Sequence, residues 1–138
     1  MKIISKFENV IEYKIDVIND RKSKLTNLEF KKFYSFKIKR LFYISVKNDQ
    51  NRGSHAHNKC NQLLFALSGK INIIVDNGIK TKQFFLYPHL NALYIPKMIW
   101  AKQKYFKNSV LAVACDQNYD EQDYIRDYSI YKKKIGVE

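Results

Sequence analysis

The sequence predicts an all-β protein, a jelly roll or β-barrel that ends in a short C-terminal helix. Short runs of apolar and β-branched residues recur along most of the chain, with turn residues between them. Near the C-terminus the apolar period changes from two residues to the spacing of a helix. The chain has 138 residues, of which 46% are hydrophobic. This suits one compact domain with a sizeable core, so we expect a single domain over residues 1–138.

The strands are predicted from apolar alternation and from β-branched or aromatic content. An early strand alternates apolar with polar residues and carries Ile11, Tyr13, Ile15 and Val17. Further strands are expected at 36–46, in the segment that contains His55 and His57, and at 62–67, 70–76, 82–86, 92–95 and 110–116. Asn77-Gly78 lies between two of these strands and indicates a two-residue hairpin turn.

The terminal helix is predicted from a cap and an aromatic stripe. Asp120 is a favourable N-cap residue. Residues at helical spacing follow it, namely Tyr124, Tyr128, Tyr131 and Ile135. The basic run 132–134 suits a helix C-terminus. We therefore expect the stripe to pack on a sheet or on a partner.

The most informative segment reads Arg52-Gly53-Ser54-His55-Ala56-His57. Two histidines at i and i+2 of a strand project from the same face. Imidazole serves as acid, base or metal ligand near neutral pH. The alternative is a buried, hydrogen-bonded pair with a purely structural role. Gln62 lies five positions beyond His57, so it shares their face only if a turn or bulge intervenes at 58–61.

The order of glycine, His55-x-His57, Gln62 and Gly69 resembles the first motif of the cupin superfamily. Metal-binding cupins have glutamate where this chain has Gln62, and Ala101 stands where a second cupin motif supplies a further histidine. An amide is a poor substitute for a carboxylate ligand, and catalytic zinc usually has three protein ligands. We therefore predict no metal and no other cofactor, with the histidines handling protons.

The formal net charge of +12 permits three interpretations. They are general lysine usage, a small phosphorylated ligand, and a nucleic-acid partner. Because the lysines are scattered, the first two are favoured and we expect no nucleic-acid partner. No apolar run approaches the ~20 residues of a membrane span, and the first residues lack the pattern of a signal peptide. Two cysteines without metal-type spacing suit a reducing compartment. Together these features predict a cytoplasmic protein with no membrane partner.

Five strings along the chain carry a closer resemblance. They are Asn19-Asp20-Arg21, Ile38-Lys39-Arg40-Leu41-Phe42-Tyr43-Ile44, the histidine segment, Asp76-Asn77-Gly78, and Tyr119-Asp120-Glu121-Gln122-Asp123-Tyr124-Ile125-Arg126. Together they resemble the dTDP-sugar 3,4-ketoisomerases, or WxcM-like proteins, from about residue 10 to about residue 132. The resemblance implies a cupin-type jelly roll that converts dTDP-4-keto-6-deoxy-D-glucose to a dTDP-3-keto-6-deoxyhexose for deoxyamino-sugar biosynthesis. It also implies a homodimer whose N-terminal strands can be exchanged.

That reaction needs a base, a proton shuttle and stabilisation of charge, but no redox cofactor or metal. We predict that His55 takes the proton from C3 and that His57 moves a proton between the two oxygens. The reverse assignment stays open, since titrations of neighbouring histidines couple.

The diphosphate of such a substrate requires cations. Arg52 and Arg21 are the candidates, because a guanidinium binds phosphate oxygens in a bidentate manner; a plain surface charge is the alternative for each. Arg40 and Tyr43 lie on the strand that leads to the site, but they differ in strand parity, so at most one should face the cavity. Gln62 either hydrogen-bonds the sugar, orients a histidine, or is an ordinary strand residue.

Two departures from the family pattern bear on function. Lys22 replaces the glycine usual after the early arginine, and Ala101 follows Trp100 where close members often have histidine. His89 is a possible substitute, although its place after Pro88 indicates a loop. Three other hypotheses stay open: a dTDP-keto-sugar epimerase, a non-catalytic cupin that binds a nucleotide sugar, and a nucleic-acid-binding β-barrel.

Overall fold

The structure is a computed structural model that describes residues 2–33 and 36–138. The strands of this part of the chain are β1 (Lys2–Phe7), β2 (Val10–Lys14), β3 (Asp16–Asp20), β4 (Ser23–Asn27), β5 (Arg40–Ser45), β6 (Gln50–His57), β7 (Gln62–Ser68), β8 (Ile71–Asp76), β9 (Thr81–Leu86), β10 (Asn91–Ile95), β11 (Trp100–Tyr105), β12 (Val110–Cys115) and β13 (Tyr124–Ile125). Two 3₁₀ turns, Phe30–Lys32 and Glu121–Asp123, and one helix, α1 (Tyr128–Lys134), complete the described elements.

Two antiparallel sheets form the body of the fold. One has six strands in the order β1-β2-β10-β7-β12-β5, and the other has five in the order β13-β6-β11-β8-β9. The alternate residues that face inward from each sheet make the main apolar core; Leu64 and Val113 come from the first sheet, and Ile73 and Tyr105 from the second. Each of these side chains is almost fully buried. The prediction of an all-β jelly roll with a short C-terminal helix is confirmed.

The predicted early strand is in fact two strands. β2 joins the six-stranded sheet, whereas β3 pairs with β4 in a separate hairpin. The strand expected over 36–46 begins only at Arg40. Upstream of it, Phe33 and Phe36 are buried against Tyr13 and Tyr94, so they belong to the core of the chain. Tyr34, in the same aromatic run, lies outside the described residues.

Strand β11 was missed by sequence reasoning. Its sequence, WAKQKY, offers little β-propensity, since lysine and alanine are depleted in strands. The strand forms because both of its edges are paired, with β6 on one side and β8 on the other. Its Lys102 and Lys104 face solvent, and Tyr105 is fully buried.

The hairpin predicted at Asn77-Gly78 exists, but its loop has four residues rather than two. Asp76 pairs with Thr81, which leaves residues 77–80 in the turn. A two-residue type I′ turn needs positive φ at both central residues, and of this pair Gly78 alone has one, at 91°. The Asn77 side chain instead accepts backbone hydrogen bonds from Ile79 and Lys80, which stabilises the wider loop.

The terminal helix begins later than predicted. Asp127, not Asp120, is its N-cap, because the Asp127 carboxylate accepts the backbone N–H groups of Ser129 and Ile130. Asp120 caps the preceding 3₁₀ turn instead. Tyr131 packs against Trp100 beneath the helix, so the aromatic stripe does cover the sheet. In the described part of the chain no helix is long and apolar enough to cross a membrane.

Candidate active site

A cavity of about 380 Å³ opens at one end of the fold, between the two sheets. This volume lies within the range of small-molecule sites. Its wall combines apolar residues of the six-stranded sheet with polar residues of the five-stranded sheet. The lining residues are Phe42, Ile44, Gln50, Asn51, Arg52, Gly53, His55, Gln62, Gln103, Val113, Tyr124 and Arg126.

A β-bulge in β6 determines which side chains reach this cavity. Ala101 pairs with His55 while the next residue of β11, Lys102, pairs with Gly53, so Ser54 is an extra residue in β6. Gly53 and Ser54 both have positive φ, of 87° and 63°. Beyond the bulge Arg52 pairs with Gln103, which faces inward like Ala101. Arg52 and His55 therefore share the cavity face, although three positions separate them.

His57 is fixed by a buried carboxylate. Nδ1 of His57 lies 2.9 Å from Oδ2 of Asp123, and the two side chains are only 6% and 9% exposed. An ionised carboxylate only accepts hydrogen bonds, so Nδ1 carries the ring proton and Nε2 carries the lone pair. Among residues 2–33 and 36–138, Nε2 of His57 has no hydrogen-bond partner.

The Asp123 carboxylate is itself held by the backbone. It accepts N–H groups from Lys59 at 2.7 Å and from Cys60 at 3.3 Å. These donors belong to the turn that follows β6, so one carboxylate ties that turn and His57 to the segment after β12. Partners of this kind orient a functional imidazole and fix its tautomer.

Both histidines are neutral at physiological pH. Burial, with the neighbouring His57 and Arg126, lowers the pKa of His55 to about 4. Burial also lowers the pKa of His57, although the hydrogen bond to Asp123 acts in the opposite direction. The ring centroids are 5.0 Å apart and the rings are perpendicular. His55 lines the cavity and can accept a proton from a bound molecule, and the neutral imidazole of His57 lies beside it.

Tyr124 and Arg126 extend the site from strand β13 and the residue after it. Tyr124 pairs with His57 in the register, and its ring centroid lies 4.5 Å from that of His57 and 5.0 Å from that of His55. The Arg126 guanidinium lies 4.4 Å from the Tyr124 centroid, a cation–π contact. Arg126 also pairs with Glu121, with Nε 3.1 Å from Oε1.

The turn between His57 and Gln62 that would bring Gln62 to the face of the histidines is present. Asn61 closes it, because its backbone N–H and its side-chain amide both donate to Asp116, at 2.8 and 2.7 Å. Gln62 consequently points into the same cavity as His55 and is 8% exposed. Its Nε2 donates to Sγ of Cys115 at 3.7 Å.

A buried sulfur links Gln62 to Arg40. Nη2 of Arg40 donates to Sγ of Cys115 at 3.6 Å. The neighbouring Cys60 thiol and the positive charge of Arg40 lower the pKa of Cys115, while the neighbouring Cys115 and burial raise the pKa of Cys60. Both cysteines are free and buried.

The structure separates Arg40 from Tyr43, as strand parity requires. Arg40 is half-buried on the cavity side of β5, whereas Tyr43 lies on the opposite face and is 66% exposed. Of these two candidates, Arg40 and not Tyr43 therefore faces the cavity within one chain.

The other predicted residues lie at different distances from the cavity. Arg21 is at the tip of the β3–β4 hairpin, in a two-residue turn where both Arg21 and Lys22 have positive φ, so within one chain it does not line the cavity. Ala101 lies directly opposite His55, so a histidine there would stand beside it. His89 is in the loop after β9 with its Nδ1 against the Thr26 hydroxyl, and it does not replace the histidine missing at Ala101.

One group of possible metal ligands occurs in the described residues, formed by His57, Cys60 and Asp123 within 4.8 Å of one another. Two of these residues, His57 and Asp123, already bond to each other. Nδ1 of His57 donates to Oδ2 of Asp123, and the same oxygen accepts the Cys60 N–H. The arrangement thus suits an orienting carboxylate better than a cation site.

Sequence reasoning assigned no role in the site to Asp123 or Arg126, and it placed Tyr124 in the stripe of the terminal helix. All three belong to the string 119–126 that contributes to the family resemblance. A signal was present, since an acidic, an aromatic and a basic residue are clustered there, but the contact of Asp123 with a residue 66 positions away is a tertiary feature.

The fold and the site define a jelly-roll protein with a paired-histidine pocket. Residues 8–136 match the family described as FdtA, WxcM-like, C-terminal, and the chain belongs to this family. The TDP-4-oxo-6-deoxy-alpha-D-glucose-3,4-oxoisomerase of Aneurinibacillus thermoaerophilus is 36% identical over 121 residues, which cover 86% of this chain and 87% of that protein.

Solved structures agree with this assignment. The sugar 3,4-ketoisomerase QdtA from Thermoanaerobacterium thermosaccharolyticum, solved in complex with TDP, is 34% identical, with a TM-score of 0.85 over 95% of this chain and 97% of that chain. The RmlC epimerase of Mycobacterium tuberculosis is 14% identical, with a TM-score of 0.80 over 90% of this chain and 72% of that one. This second likeness shows a shared cupin-type fold alone.

Proposed function

We propose that this protein is a sugar-nucleotide 3,4-ketoisomerase that converts dTDP-4-keto-6-deoxy-D-glucose to a dTDP-3-keto-6-deoxyhexose, a step toward deoxyamino sugars. The observation that carries the proposal is the neutral imidazole of His55 in the cavity, with the His57 ring beside it and oriented by Asp123. The 36% identical oxoisomerase supports the choice of substrate.

The reaction is an enolisation followed by reprotonation. His55 removes the proton from C3, which is acidic because it lies α to the C4 carbonyl, and the C3–H electron pair forms a C3–C4 double bond. His57 then accepts the proton of the C3 hydroxyl and supplies one to the C4 oxygen. His55 exchanges that proton with solvent and delivers a proton to C4, which leaves the ketone at C3 with no net change in atoms or electrons.

The nucleotide diphosphate is held by arginines. Arg52 and Arg126 line the cavity in the same chain, and guanidinium groups form bidentate pairs with phosphate oxygens. Gln62 and Arg40 lie deeper, where they hydrogen-bond the sugar or support the histidines. Acid–base chemistry of this kind proceeds without metal, so we expect chelation to leave the activity unchanged.

We further propose a homodimer in which the β3–β4 hairpin of one protomer reaches the pocket of the other. Within the described residues this hairpin pairs with no other strand, and its Ile18 and Leu25 are 59% and 57% exposed. Exchange of the hairpin between protomers would bury these two side chains and would bring Arg21 to the diphosphate.

If the hairpins are exchanged, the Arg21→Ala and His55→Asn proteins, each inactive alone, regain activity when they are unfolded together and refolded. A mixture that stays inactive would contradict the exchange.

The remaining assignments concern domain and compartment. The continuous family match over residues 8–136 supports a single domain. The buried free thiols Cys60 and Cys115 suit a reducing compartment, so we place the protein in the cytoplasm.

The test is a proton NMR time course of EDTA-treated protein with dTDP-4-keto-6-deoxyglucose in D₂O. A 3-keto product with deuterium at C4 is the expected result. Exchange at C3 or C5 without movement of the ketone would indicate an epimerase. Neither conversion nor exchange, from protein that binds TDP, would leave a non-catalytic nucleotide-sugar binder and overturn the proposal.

A further inference from the structure

We propose that the Tyr124 phenol is a catalytic residue, the hydrogen-bond donor that stabilises the oxygen anion formed at C4 when the C3 proton is removed. This inference rests on the proposed function and adds to the two histidines a third reacting group.

The position of Tyr124 is set by the short pairing of β13 with β6. Tyr124 pairs with His57, and Ile125 pairs with Ala56. Residues that pair directly project from the same face of a sheet, so Tyr124 is on the cavity side with His57, while Ile125 is buried behind the sheet with Ala56. The phenol ring contacts both imidazole rings. All three side chains thus converge on one part of the cavity.

Two arginines act on this phenol. Arg126 lies over its face, and the positive charge of Arg40 also interacts with it. A hydrogen bond to an ionised acceptor is about twice as strong as one between neutral groups. The hydroxyl is therefore prepared for an anionic acceptor.

The reaction requires such a donor. Removal of the C3 proton leaves a negative charge on the C4 oxygen, and both imidazoles begin neutral, so neither one carries a compensating charge before proton transfer. Donors aimed at a developing oxyanion are worth about 10²–10³ in kcat. Tyr124 donates a hydrogen bond and gives up no proton, so the proton balance of the reaction is unchanged.

The experiment compares Tyr124→Phe with Tyr119→Phe as a matched control. Phenylalanine keeps the ring against both imidazoles and removes only the hydroxyl. Tyr119 is a neighbouring tyrosine, 59% exposed, whose hydroxyl bonds to Glu121, and its ring centroid is 6.0 Å from that of Tyr124. The measured quantities are kcat, KM, deuterium exchange at C3 and TDP affinity, with rates expressed per TDP-binding site so that misfolded protein does not count.

For Tyr124→Phe we expect kcat and C3 exchange to fall together about 100-fold, with TDP affinity within about threefold of wild type. Tyr119→Phe should match wild type. A kcat within threefold of wild type, a change confined to KM, or C3 exchange that persists without conversion would each overturn the assigned role. Wild-type protein that converts no substrate would overturn the proposed function and this inference together, whereas an active wild type with an equally active Tyr124→Phe overturns this inference alone.

Discussion

Arg52 and His55 are three residues apart on one strand, yet both side chains lie on the cavity face because Ser54 is an extra residue in the pairing with β11. On a regular strand the two would point to opposite faces. The bulge therefore brings a guanidinium and an imidazole, which we propose bind phosphate and transfer protons, to one face within a single six-residue string.

Gly53→Ala should destabilise the fold more than Gly136→Ala, although both glycines have positive φ. The φ of Gly53 is 87°, and a Cβ would stand 3.3 Å from Cα of Lys102. The backbone term alone is about 1–2 kcal/mol, and the close contact adds to it. Gly136→Ala is the control, since its φ is 77° with nothing within 4 Å of the added Cβ. Urea unfolding measures the free energy of unfolding of both variants. Equal losses of stability would mean that the contact with Lys102 adds no cost.

Arg52→Ala should weaken TDP binding about tenfold or more, because a guanidinium–phosphate pair is charge-assisted and bidentate. Lys104→Ala is the matched control: it removes a positive charge from the same sheet, but Lys104 pairs with Asn51 on the solvent face. Titration calorimetry with TDP at fixed salt compares them. If both variants lose the same affinity, the effect is general electrostatic attraction and not a contact made by Arg52.

Asp123→Asn should lower kcat about 100-fold or more with little change in KM. The amide keeps the size of the carboxylate but loses the charge that holds the proton on Nδ1 of His57. Asp120→Asn, in the same turn, replaces one good capping residue by another and should leave kcat unchanged. Steady-state kinetics measure kcat and KM for both variants. An Asp123→Asn enzyme with normal kcat would show that the carboxylate is merely structural.

The unfolding free energy should fall as the pH drops from about 6.5 toward about 4. The pKa of His55 is about 4 in the folded protein and about 6.5 when unfolded, so between these values the unfolded state binds more protons and acid favours it. His55→Asn removes this contribution and should reduce the pH slope by up to about 1.4 kcal/mol per pH unit. Exposed His89→Asn is the control, and urea unfolding at several pH values is the measurement. Identical slopes for wild type and His55→Asn would contradict a buried, neutral His55.

Sequence reasoning found the elements whose signals are local. The histidine strand and the hairpin at Asn77-Gly78 depend on neighbouring residues, and both are present. Strand parity also predicted correctly that Arg40 and Tyr43 could not both face the cavity, although it could not decide which one would. The C-terminal helix was predicted with the wrong start, because Asp120 and Asp127 are equally good caps by sequence, and pairing with β6 placed Tyr124 in a strand.

The sequence by itself therefore determined the all-β class, the paired histidines and the family, since these rest on alternation, spacing and strings of neighbouring residues. The tertiary structure alone decided that Asp123 orients His57, that Tyr124 contacts both imidazoles, and that the bulge turns Arg52 inward. The physical reason is that each of these relationships joins segments far apart in the chain or depends on the register between two strands. A local sequence pattern encodes neither the contacts between distant segments nor the strand register, because both are set by how the two sheets pair and pack.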